Sequence, residues 1–97
     1  MTANSPTVSN NASSQRYELN DEGSVVGIAQ YRMDGDALVF THTEIQPQHE
    51  GRGYGSALAR GALEDVRRQG LQVVALCEFI ASYIDRNPEY RELLAEG

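Results

Sequence analysis

Nine consecutive residues, Gln48-His49-Glu50-Gly51-Arg52-Gly53-Tyr54-Gly55-Ser56, carry glycine at every second position from 51 to 55. A backbone without Cβ atoms can approach a ligand closely and adopt angles that other residues resist. The stretch stands between a strand-like segment and a helix-like one. The first turn of a helix leaves amide N–H groups without partners, with partial positive charge behind them. A glycine-rich loop feeding such a turn is a cradle for an anion, most often a phosphate. A phosphate loop of the nucleoside triphosphatase kind needs a lysine after its glycines. This chain has no lysine, and its positive charge is eight arginines. The other side chains with chemistry to offer are His42 and Glu44, two apart on a strand, the lone Cys77, and Tyr83.

The elements that must position these groups can be read in order. Residues 1–14 are rich in Ser, Asn and Thr and poor in bulky apolar residues, so a disordered tail is expected. A single domain is expected over 15–97. Arg16-Tyr17-Glu18-Leu19 reads as a short strand and Asn20-Asp21-Glu22-Gly23 as turn chemistry. Ser24 to Met33 is a Val/Ile/Tyr-rich strand, Asp34-Gly35-Asp36 a hairpin signal, and Ala37 to Ile45 the returning strand. Strict alternation there puts Leu38, Phe40, His42 and Glu44 on one face, with Val39, Thr41, Thr43 and Ile45 on the other. After the glycine loop a helix runs from about Gly53 to Gln69, with Leu58, Ala59, Ala62, Leu63 and Val66 as its apolar stripe. Arg67-Arg68 suits the last turn and Gly70 stops the helix. Leu71 to Cys77 is nearly continuous apolar, the pattern of a strand buried on both faces. Strand, helix, strand makes a crossover with a parallel pair. A helix from Glu78 ends at Asn87-Pro88, and Pro88-Glu89-Tyr90 opens a short last one. The fold class is α+β: an antiparallel meander, one β-α-β crossover, and helices at the C-terminal end.

Composition narrows the function classes. Ninety-seven residues make one small domain that buries only about 60–65% of its unfolded surface. The net charge of −6 argues against a nucleic-acid module, which shows a basic face. No apolar run approaches the roughly 18–20 residues of a membrane span, and residues 1–14 lack the basic start and hydrophobic centre of a secretory signal. One cysteine excludes an internal disulfide and suits a reducing cytoplasm. No metal-ligand spacing stands out, so no metal is expected.

Gln48-x-x-Gly51-x-Gly53 after a strand, followed by Tyr54-Gly55-Ser56-Ala57-Leu58, resembles the acetyl-coenzyme A loop of the GNAT superfamily of N-acetyltransferases. Thr41-His42-Thr43-Glu44, Leu76-Cys77-Glu78-Phe79 and Arg86-Asn87-Pro88-Glu89-Tyr90 resemble segments of its small single-domain members of about a hundred residues. The likeness covers roughly residues 17 to 94. It implies a minimal GNAT-like fold whose two parallel strands splay apart, and acetyl-CoA as co-substrate. Amides of Gly51, Arg52, Gly53, Tyr54, Gly55 and Ser56 would hold the pyrophosphate, with Gln48 at the loop's start. The pantetheine arm would bond to exposed strand backbone, much as an added strand does. An amide near Glu44 or Ile45 would stabilise the oxyanion. Two features depart from the pattern. Glu78 stands where the small members have proline, and the chain lacks the early helices and late strands that build an acceptor pocket.

Within that frame each side chain has a chemical and a plain reading. An imidazole with an ordinary pKa of about 6.5 suits deprotonation of an amine, or His42 is a sheet histidine held for packing. Cys77 is an acyl acceptor opposite His42, or a small apolar residue lining the cleft. Tyr83 falls where many members protonate the leaving thiolate, yet its spacing with Phe79 and Ile80 equally suits the core. Glu44 assists through a water or is a solvated sheet residue. Tyr54 covers the loop or packs locally, Arg52 reaches a coenzyme phosphate or stays solvated, and His49 and Glu50 face solvent. The expected acceptor is an amine on a small molecule, polyamine or protein. The rival reading is a coenzyme A or acyl-CoA binding module with little turnover. A dinucleotide-binding domain fits poorly, because antiparallel strands precede the glycine loop.

Overall fold

The structure, a computed structural model, describes residues 6–95. Its elements run β1 (Thr7–Asn11), β2 (Arg16–Asp21), β3 (Ser24–Asp34), β4 (Ala37–Ile45), α1 (Tyr54–Gln69), β5 (Gln72–Ala75) and α2 (Glu78–Arg86). Short 3-10 turns lie at Ala12–Ser14, Pro47–His49 and Pro88–Leu93. The five strands form one sheet in the order β1-β2-β3-β4-β5. The first four pair antiparallel, and β4–β5 is parallel. The meander, the β4-α1-β5 crossover and the helical end agree with the sequence-based expectation.

The helices share one face of the sheet. Leu58, Ala62, Leu63 and Val66 of α1 and Ile80 and Ile84 of α2 join Tyr17, Leu19, Phe40 and Val73 of the sheet in one buried cluster. The two helical regions also touch each other: Tyr90 donates to Glu64 at 2.7 Å, and Phe79 packs against Gly55. The opposite sheet face displays Gln30, Arg32, His42 and Glu44, all exposed. Gly70, at φ 71°, closes α1 with its N–H on Arg67 and Val66 carbonyls. Asn87 before Pro88 ends α2.

Three expectations change. The segment expected to be a disordered tail contains β1, whose whole length pairs with β2; residues 1–5 of that expectation lie outside the described residues. Polar residues hold β1 because backbone pairing is assisted by side chains. Tyr31 donates to Asn10 at 2.7 Å and Asn11 to Glu18 at 3.1 Å. Val8 packs on Gly61 of α1, where a Cβ would collide with it. The strand expected over Leu71–Cys77 shortens to Gln72–Ala75. It is not buried on both faces: Val73 is in the core, but Gln72 is exposed and Val74 only half-buried, because the helices cover the other face of the sheet.

The third change is a β-bulge. Gln30 pairs with His42 and Tyr31 with Phe40, leaving Thr41 as an extra residue on β4. One extra residue inverts the alternation beyond it. Leu38 and Phe40 point into the core, but so then do Thr43 and Ile45, while His42 and Glu44 turn to the open face. The expected Leu38/Phe40/His42/Glu44 face does not exist.

Candidate functional site

The two parallel strands stay together only briefly. Pairing covers Ala37–Phe40 against Gln72–Ala75. The amides of Leu76 and Cys77 both donate to the Phe40 carbonyl at 3.1 Å, and the chain then turns into α2. Strand β4 continues to Ile45 with only β3 beside it. A gap therefore opens between the end of β4 and the start of α2.

Strand geometry says which groups face that gap. The Gln46 amide donates to Val26 of β3 at 2.9 Å, so residues 42, 44 and 46 turn their backbone groups toward β3. Alternation turns those of Thr43 and Ile45 into the gap. Of the two positions expected near the oxyanion, Ile45 thus presents a free amide there and Glu44 does not.

The gap leads to the glycine loop. A cavity of about 310 Å³ lies between Thr43 and Ile45 on one side, His49, Gly51 and Gly53 on another, and Phe79 on a third. Gly51 (φ 85°) and Gly53 (φ 77°) adopt left-handed angles with open space where a Cβ would stand. Gly53 is the N-cap of α1, no side chain caps the helix, and its first turn holds no acid. The first intrahelical bond runs from Ala57 to Gly53 at 3.1 Å, which leaves the amides of Tyr54, Gly55 and Ser56 for a ligand. These groups fit a bound diphosphate. Gly55 also makes room for a neighbour, since a Cβ there would lie 2.6 Å from Phe79 Cζ. Arg52 and Ser56 are exposed on the loop and the first turn. Gln48 is also exposed and donates to Gln46 at 3.2 Å.

His49, expected to face solvent, instead lines the cavity. Its ring lies 5.6 Å from that of Tyr54, and its shielded Nδ1 has no hydrogen-bond partner among the described residues. Phe79, legible in the sequence only as part of a helical stripe, lines it too. The spacing of Gly55 with an aromatic at the start of α2 becomes informative only once the two helices are known to touch.

Cys77, 8% exposed, is the N-cap residue of α2, and its thiol donates to the Thr43 hydroxyl at 3.3 Å. The pair bridges the strands where they part. His42 is not its partner. It lies on the open face, with Nε2 3.7 Å from a Glu44 carboxylate oxygen and both side chains more than half exposed. Activation of the Cys77 thiol by His42 has no geometry here. Tyr83 is buried, its ring 5.9 Å from Tyr90, and burial raises its pKa. It belongs to the packing between α2 and the last turn, outside the gap lining. A smaller cavity of about 230 Å³ lies at the ends of β3 and β4, among Val25, Ile28, Glu44 and Gln46, and shares Ile45 with the gap. Among the described residues no three His, Cys, Asp or Glu cluster to hold a metal ion, and no helix is long and apolar enough to cross a membrane.

A splayed parallel pair opening onto an uncapped, glycine-fed helix is the arrangement that the sequence resemblance implies, and comparison with known proteins agrees. Residues 16–93 match the family model of GCN5-related N-acetyl-transferases. The chain belongs to that family. Among solved structures it is similar to the NMR solution structure of a GCN5-like candidate N-acetyltransferase from Staphylococcus aureus. That match has a TM-score of 0.68 and 19% identity over 100% of this chain and 93% of the other. At that identity the likeness speaks for the fold. No curated protein sequence matches significantly.

Proposed function

We propose that the chain is an acetyl-CoA-dependent N-acetyltransferase that transfers the acetyl group directly to an amine. One observation carries the reading: free amides of Thr43 and Ile45 line a gap that runs into three unpartnered amides at the start of α1. The diphosphate rests on the amides of Tyr54, Gly55 and Ser56, beside Gly51, Arg52 and Gly53, and the pantetheine arm bonds along β4 as an added strand would. Gln48 braces the loop's approach. Ile45 supplies an oxyanion donor.

The acceptor arrives from the open sheet face, where His42 and Glu44 stand together. The amine nitrogen attacks the thioester carbonyl carbon, the C–S bond breaks, and His42 takes the amine proton with Glu44 beside it. Thiols are weak enough acids for the departing thiolate to take its proton from water in an open gap, so no dedicated acid is required. Tyr83 is left out because it is packed elsewhere. Cys77 holds Thr43 at the floor of the gap rather than carrying the acyl group.

Acetyl-CoA is expected to raise the melting temperature by linkage to the native state, and an amine panel to accelerate thiol release from it. No shift at millimolar acetyl-CoA would refute the binding site. A shift with background thiol release on every amine, polyamines and peptides included, would favour the second reading, a binding module. That reading draws on the uncovered sheet face, which offers no acceptor wall.

A further inference from the structure

We infer that Asp21 is a positioning residue for the coenzyme loop, acting through Tyr54 and His49; this rests on reading the gap as the acyl-CoA site. Asp21 is the last residue of β2 and does not line the cavity. The two-residue turn after it, Glu22 at φ 54° and Gly23 at φ 83°, is the tight form that holds flanking strands in fixed register. The Tyr54 hydroxyl donates to the Asp21 carboxylate across 33 residues of sequence. Tyr54 is the first residue of α1, so its own amide is one of the three left for the anion. Its ring also backs His49.

The loop has little else to hold it. Among the described residues, the side-chain hydrogen bonds of 48–56 are Gln48 to nearby Gln46 and Tyr54 to Asp21. The backbone bonds there stay within the loop and the first turn of α1: His49 to Gln46, Glu50 to Pro47, Ala57 to Gly53. No side chain caps the helix. Gln46, at the root of the loop, donates to the Val25 carbonyl of β3 at 3.1 Å; beyond it, among the described residues, the bond to Asp21 is the one side-chain hydrogen bond from residues 48–56 to a distant element. Its chemistry also argues for positioning. A carboxylate near a diphosphate site repels the ligand, so its value lies in accepting the Tyr54 hydrogen bond rather than in its charge. An asparagine retains an acceptor oxygen without the repulsion.

The test uses the full chain and coenzyme A as probe. Tyr54→Phe and Asp21→Ala are each expected to weaken coenzyme A binding about tenfold, and the double variant no further, since both remove the same bond. Asp21→Asn is expected to bind coenzyme A at close to wild-type affinity. Amide exchange at Gly53–Ala57 in the free protein should speed up in Tyr54→Phe and Asp21→Ala while melting temperatures stay close to wild type. Unchanged affinity and exchange in both single variants, additive losses, or an asparagine variant as weak as alanine would each overturn the inference. A wild type that fails to bind coenzyme A, with exchange still loosened in the variants, would instead overturn the site's assignment and leave the positioning role standing.

Discussion

Replacing Gly55 with alanine sets two effects against each other. On propensity alone, alanine in a helix is more stable than glycine by about 0.5–1 kcal/mol. Against that, the new methyl would stand 2.6 Å from Phe79 Cζ. Ordinary carbon contact needs about 3.5 Å, so the ring must retreat by roughly 0.9 Å. Overpacking of this kind costs about 1–3 kcal/mol. The net expectation is a loss of about 1 kcal/mol, or a melting temperature about 4–8 °C lower for a domain of this size. The ring borders the gap, so its displacement should also weaken acetyl-CoA binding about tenfold. Thermal unfolding and isothermal titration read the two quantities separately. Gly55→Ala combined with Phe79→Leu should recover most of both, because leucine vacates the contested space. A Gly55→Ala protein that melts higher than wild type and binds acetyl-CoA equally well would refute the reasoning, since it would mean the ring and the loop do not meet.

Further outcomes follow from the same structure. Gly53→Asn should bind acetyl-CoA nearly as wild type and Gly53→Val much more weakly, because asparagine tolerates the left-handed φ of 77° and a β-branched residue does not; equal affinities would remove the backbone cradle. Deleting residues 1–11 should lower the melting temperature by about 5 °C or more, since β1 is paired and Val8 packs on α1; an unchanged value would restore the free-tail reading. Burial opposes ionisation of Asp65, but bonds from Tyr17, Gln69 and Arg68 outweigh it and hold its carboxyl below the ordinary value. That stability is present above about pH 4 and is lost as pH falls through the folded pKa, so urea midpoints should drop on acidification, less steeply in Tyr17→Phe. Midpoints that rise on acidification would contradict it. For the direct transfer route, intact mass after exposure to acetyl-CoA should show no adduct of about 42 Da, and Cys77→Ala should stay active.

The parts of the fold that are legible in the sequence depend on local chemistry. Gly70 and Asn87-Pro88 end their helices where expected, and the apolar spacing of Leu58 through Val66 places the buried face of α1 correctly. The glycine loop can be read in the sequence as an anion cradle because the reasons, small residues and a helix start, lie within one turn. What escapes the sequence depends on partners distant along the chain. β1 is a strand only because β2 and Gly61 receive it, and no composition rule sees that. The bulge at Thr41 leaves no mark on the alternation of Leu38 to Ile45, yet it decides that Thr43 rather than His42 meets Cys77. His49 and Phe79 become site residues through contacts with Tyr54 and Gly55 that only the packed helices create.

Strand order along the sheet equals strand order along the chain, and this has a kinetic consequence. Each of the first three strands pairs with its immediate successor through a short connection, so those contacts form at small loop-closure cost. The β4–β5 pair alone must wait for 16 residues of α1 to be threaded between its members. The gap between β4 and α2 lies at that one long strand closure, so it is expected to form late and open early. A ligand that bridges β4 and the start of α1 would act as a clasp beside the least local strand pairing among the described residues, slowing unfolding more than it speeds folding.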